Sequence, residues 1–128
     1  MQFQLRPQVY ALLLCSSLTQ DPDTGGWIIQ PFSEVSVERM PVDLALTIFA
    51  QIMGPPGSYE LALCLFHATD PEGTAQILPP RPFTIHEGKN VDFVLHIETR
   101  ITQLGLYMIE AQIVGHHTAL SPLRITAA

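Results

Sequence analysis

Val42-Asp43-Leu44-Ala45-Leu46-Thr47-Ile48-Phe49-Ala50-Gln51-Ile52-Met53, closed by Gly54-Pro55-Pro56-Gly57, is the stretch that decides the fold. Val42, Leu44, Leu46, Ile48, Ala50 and Ile52 occupy one parity, and a period of two puts all six on one face of a strand. A helix would scatter the same residues around its axis. The Gly-Pro-Pro-Gly that follows ends the strand in a sharp turn, because proline supplies no backbone donor and glycine tolerates tight geometry.

The same grammar continues outward. Tyr59, Leu61, Leu63 and Leu65 alternate with Glu60, Ala62, Cys64 and Phe66, up to Asp70-Pro71-Glu72-Gly73, whose proline and glycine suit a type I turn. These two strands are expected to pair as a hairpin or meander. Val91, Phe93, Leu95 and Ile97 form the next strand, after the turn at His86-Glu87-Gly88-Lys89-Asn90, and Tyr107, Ile109, Ala111 and Ile113 the one after. Ala119 to Thr126 closes the chain, with Pro122 pointing to a sheet edge or a bulge. Gln8 to Thr19, Gly26 to Val37 and a short Thr74 to Leu78 bring the count to about eight strands, and no long helix is expected.

The fold expected is all-β, an antiparallel two-sheet sandwich of immunoglobulin-like or related type, with a closed β-barrel as the alternative. Leu104-Gly105-Leu106-Tyr107 favours the sandwich, because a tyrosine opening a late strand after a glycine resembles the tyrosine corner of such domains. Residues 1–128 read as one domain, without repeat, linker or low-complexity segment.

Composition narrows the function. The chain is 47% hydrophobic and 14% charged, which is incompatible with disorder. Six basic residues against twelve acids give a formal net charge of -6, removing the electrostatic basis for binding nucleic acid or an anionic membrane. Every apolar run is interrupted well short of a membrane helix. Val9 to Leu14 followed by Cys15 has the outline of a lipoprotein signal, but the run is short and Leu14 stands where a small residue is needed, so a soluble, cytoplasmic protein is expected. Cys15 and Cys64 lack CxxC spacing and read as free buried thiols; sequence leaves open whether they are close enough to pair.

Several stretches resemble a group of small bacterial β-sandwich proteins of unknown function. They are Val9-Tyr10-Ala11-Leu12-Leu13-Leu14-Cys15-Ser16, Trp27-Ile28-Ile29-Gln30-Pro31-Phe32, Pro41 to Leu46, Asp70 to Gly73 and Gly105-Leu106-Tyr107. The resemblance implies a bacterial, non-secreted sandwich whose N-terminal apolar strand belongs to the mature fold. It supplies no catalytic residues, and Ser16 departs from the acidic residue that commonly follows the cysteine in that group.

No motif for chemistry stands out. His67, His86, His96, His116 and His117 lack ligand spacing, no GxSxG elbow is present, and Asp23-Thr24-Gly25-Gly26 is too acidic to cradle a phosphate. Neither catalytic residues, metal nor cofactor is expected. His96 and Glu98 share one strand face and can form a polar pair. One irregularity points to function: the parity opposite the core carries apolar residues where a solvated face should be polar. The candidate interface is Phe49, Cys64, Phe66, Val94 and Met108, read as one outward face that binds protein, most simply a second copy in a homodimer. A cover over some strands, such as Leu78 to Phe83, or a parity-switching bulge, is the competing explanation. The alternative function is a small-ligand or carbohydrate-binding sandwich, using Trp27 with Tyr10 or Tyr59 as stacking surfaces.

Overall fold

The computed structural model describes residues 6–128. Nine strands follow one another: β1 (Gln8–Gln20), β2 (Trp27–Pro31), β3 (Glu34–Val37), β4 (Val42–Met53), β5 (Gly57–His67), β6 (Asp70–Ile85), β7 (Val91–Ile101), β8 (Gly105–Ile113) and β9 (His117–Ala127). They make two sheets, β2-β1-β4-β7 and β3-β9-β8-β5-β6, antiparallel except where β3 runs parallel to β9. The structure is a two-sheet sandwich and not a closed barrel. In strand order, β1-β4-β7 correspond to A, B and E of an immunoglobulin sandwich, and β9-β8-β5 to G, F and C.

The alternation in the sequence becomes the core. Ile48, Ile52, Leu95 and Ile101 of the four-stranded sheet meet Leu61, Leu63, Ile109, Ile113, Leu123 and Ile125 of the five-stranded sheet in one continuous buried cluster. Fully burying a side chain of this size is worth about 1.5–3 kcal/mol. That opposed apolar stripe holds the two sheets together.

Four expectations need correction. β4 and β5 do not pair: they lie in different sheets, and Gly54 to Gly57 carries the chain across the sandwich. β4 already has β1 on one side and β7 on the other, and Gly54 is pressed so closely onto Pro7 that a Cβ would sit 2.5 Å from its Cα. Gly26 to Val37 is two strands in two sheets, broken after Pro31. The short strand at Thr74 to Leu78 is part of the 16-residue β6, which also takes in Leu78 to Phe83. The turn expected at Asp70-Pro71-Glu72-Gly73 falls earlier, at Ala68-Thr69, because His67 pairs with Asp70 and accepts the Thr69 amide at Nδ1. Pro122 sits on a strand flanked on both sides, but β3 pairs only with Arg124 to Ala127, so that at Pro122 β9 is locally an edge.

The tyrosine corner is present. Tyr107 Oη donates to the Gln103 carbonyl at 3.1 Å and accepts the Gln103 amide at 3.3 Å, closing the turn that enters β8. His67 braces it, its ring edge-on to Tyr107 at 4.9 Å and Nε2 2.9 Å from the Leu104 carbonyl. With Nδ1 taken by the Thr69 amide, Nε2 carries the proton and donates. Gly105, at φ 117°, leaves the space this ring needs. Tyr107→Phe removes both hydroxyl bonds and keeps the ring, so stability should fall by about 1 kcal/mol. Equilibrium urea unfolding measures this, and an unchanged midpoint would show that the corner contributes nothing.

Candidate functional site

The five residues expected to form one outward face belong to two. Phe49 on β4 and Val94 on β7 are cross-strand partners in the four-stranded sheet, whereas Cys64 and Phe66 on β5 and Met108 on β8 belong to the five-stranded sheet. All five point away from the core, so the two groups look out from opposite sides of the sandwich. Alternation specifies which residues share a parity within a strand; it carries no information on which strands share a sheet.

On the four-stranded side the apolar surface is covered. Phe49 is only 3% exposed although it lies outside the core cluster. Pairing of β1 with β4 stops at Cys15–Thr47, the register slips between Cys15 and Ser17, and beyond that point β1 pairs only with β2. The hairpin closes through Asp21, whose amide donates to the Gly26 carbonyl and whose carbonyl accepts the amide of Gly25, at φ 72°. This folds the start of β2 back over the sheet. The Trp27 ring lies 5.6 Å from Phe49, and Trp27 Nε1 donates to Asp92 Oδ2 at 2.9 Å. Gln51 Nε2 donates to the other oxygen of Asp92 at 3.2 Å. A cover does explain the apolar parity on this side, but it is the β1–β2 hairpin and not Leu78 to Phe83. A lone tryptophan beside a turn, with a phenylalanine on the wrong parity, was the available signal.

Under the hairpin lies a cleft of about 310 Å³ lined by Cys15, Ser17, Trp27, Thr47, Val94 and His96 among others. Thr47 Oγ1 and His96 Nδ1 are hydrogen-bonded across its floor at 3.2 Å. Val94 is thus a wall of this cleft. The stacking groove expected from Trp27 with Tyr10 or Tyr59 does not assemble. Trp27 is taken up by Phe49, and Tyr59 packs against the core, between Phe83 and His116, with its hydroxyl donating to the Pro55 carbonyl. Tyr10 stands apart, 60% exposed.

On the five-stranded side the apolar parity is half-buried at Cys64, Phe66 and Met108 and exposed at Pro122 and Leu120. Phe66, Met108 and Pro122 are successive cross-strand partners on β5, β8 and β9, and the next row of that face holds Cys64, Glu110 and Leu120. Leu120 is 54% exposed, and Glu110 accepts a hydrogen bond from Gln112.

The histidines are dispersed. His67 serves the tyrosine corner, His96 the cleft, His117 accepts the Val9 amide at Nδ1, and His116 packs edge-on to Tyr59. Among the described residues, no three of His, Cys, Asp and Glu come together as metal ligands would. Cys15 and Cys64 are free and sit on opposite sheets, so no disulfide joins them. Burial pushes both thiols up; a backbone hydrogen bond from Phe49 works against this at Cys15, and the Glu110 charge adds to it at Cys64. Because the thiolate is the reactive form, both are poor nucleophiles at neutral pH, and labelling should accelerate only as pH rises past the ordinary thiol range. In native protein Cys64, half-buried, should react with a maleimide before Cys15, which is buried beneath the hairpin. Trp27→Ala should speed Cys15 alone, read by mass spectrometry of peptides; equal acceleration of both would show that Trp27 does not cover this face.

No family model and no curated protein sequence matches the chain. Among solved structures it is similar to part of a β-glucosidase from Listeria innocua. The glucose complex gives a TM-score of 0.55 at 8% identity, covering 97% of this chain and 16% of that one. The isofagomine complex gives 0.55 at 9% over the same shares, and the β-glucosidase structure without a named ligand 0.53 at 10%, covering 98% and 16%. This chain therefore spans about a sixth of the length of the chains it matches, and at such identities the likeness is one of fold.

Proposed function

We propose that the chain is a non-catalytic module that acts by binding protein. The observation that carries this reading is the outer face of the five-stranded sheet, where half-buried Phe66 and Met108 and exposed Pro122 form an unbroken apolar row beside the exposed Leu120. The four-stranded sheet has Trp27 over Phe49, whereas among the described residues no aromatic ring packs on Phe66. An apolar core rimmed by polar groups, here Glu110 and Gln112, is how contact surfaces are built. Two free thiols suit a reducing compartment, and we place the module in the cytoplasm.

A second reading, as a small-ligand binder, rests on the cleft under the hairpin, whose size reaches the lower end of ligand pockets. In that case a ligand would change the emission of Trp27, the only tryptophan.

Leu120→Asp and Met108→Asp place a charge on the open face without touching the core. Both should melt within a few degrees of wild type and lose the proteins that immobilised wild-type chain retains from cells of its source. Retention of the same set by both variants would remove this face as the contact.

A further inference from the structure

The two sheets end in four edge strands, and three of them are blunted against further pairing. β2 has five residues and ends at Pro31, and β3 has four. β6 is long but carries Pro71, Pro79, Pro80 and Pro82, and its register with β5 shifts three times. Proline, brevity and bulges are the devices that keep an edge from adding another strand. β7 has none of these three, and its protection is limited to the charges of Asp92, Glu98 and Arg100. Its eleven residues contain no proline and pair with β4 in one unbroken register from Val91–Ile52 to Ile101–Val42. Among the described residues its other side has no strand partner in the sheet, while β6 of the facing sheet touches β7 at Phe93, whose ring lies 5.3 Å from that of Phe83.

The side chains along this edge are self-complementary. On the outward face His96 and Glu98 stand two residues apart, both exposed, with Ile97 between them pointing into the core. An antiparallel pair of β7 strands with its twofold axis at Ile97 sets His96 of each copy directly opposite Glu98 of the other. His96 Nδ1 is engaged by Thr47, which leaves Nε2 for that carboxylate. Moving the axis to His96 would instead oppose the two histidines and ask Asp92 to meet Arg100. Asp92 is already held by Trp27 and Gln51, and Arg100 lies 3.5 Å from Asp43.

We infer that β7 is a homodimerisation edge: two copies of this chain join β7 to β7 about Ile97, making one continuous eight-stranded sheet, β2-β1-β4-β7 followed by its symmetry mate. This names a second copy as one partner under the protein-binding reading above, and it uses a different surface, leaving the row of Phe66, Met108 and Pro122 free.

Sedimentation velocity from 10 µM to about 1 mM, with amide hydrogen exchange at both ends of that range, tests it. The wild-type chain should pass from monomer to dimer with rising concentration, and protection should grow in residues 93–101. H96E opposes like charges twice, and cross-strand pairs of this kind shift the dimer constant roughly tenfold. H96E should therefore weaken the dimer by about that factor, and H96E/E98K should restore it. Leu120→Asp should leave it unchanged. A chain that stays monomeric throughout, or a dimer that L120D disrupts and H96E does not, overturns the edge. Neither result bears on retention of other proteins by the open face, which the preceding experiment reads separately.

Discussion

The dry contact between the two sheets is the constraint on which everything else depends. Ile48, Ile52 and Leu95 on one side, and Leu63, Ile109 and Leu123 on the other, bury their side chains only if every strand presents the same parity inward. Once that holds, each remaining residue is assigned to an outer face, and register is locked because a slip by one position would turn the stripe toward water. The hydrogen bonds of Tyr107 and the ring of His67 fix how the chain enters β8, the central strand of the larger sheet.

Both outer faces inherit apolar residues from strands with few charges, and the molecule treats them differently. On the smaller sheet a bulge in β1 lets the β1–β2 hairpin curl back, and the bond between Trp27 and Asp92 pins the indole over Phe49. The cover costs the chain the stacking surface that a ligand-binding tryptophan would offer. On the larger sheet Phe66 and Met108 stay half-buried and Leu120 exposed. The edges show a parallel contrast: prolines interrupt β6 at the border of one sheet, while β7 borders the other with an uninterrupted backbone.

Much of the fold was legible because it is written in local alternation. The inward residues of β4, β5, β7 and β8 were read correctly, as was the tyrosine corner, since Tyr107 bonds to Gln103 only four positions away and the interaction is local. The candidate face was legible only in part. Phe49, Cys64, Phe66, Val94 and Met108 do point away from the core, but they divide between opposite sides of the sandwich, and Phe49 is covered.

The sequence by itself determined that this is an all-β chain, with a sandwich favoured over a barrel, which residues form its interior, and that apolar side chains exceed what the interior needs; the two separate sheets of the tertiary structure excluded the barrel. Only the tertiary structure decided which strands are neighbours, that Trp27 reaches Phe49 from 22 residues away, and which of two outer faces is left open. The reason lies in the range of the forces. Backbone geometry and side-chain parity act over two residues and leave a periodic trace. Strand order depends on how the whole set of stripes closes on itself, and no single stretch of the chain records that.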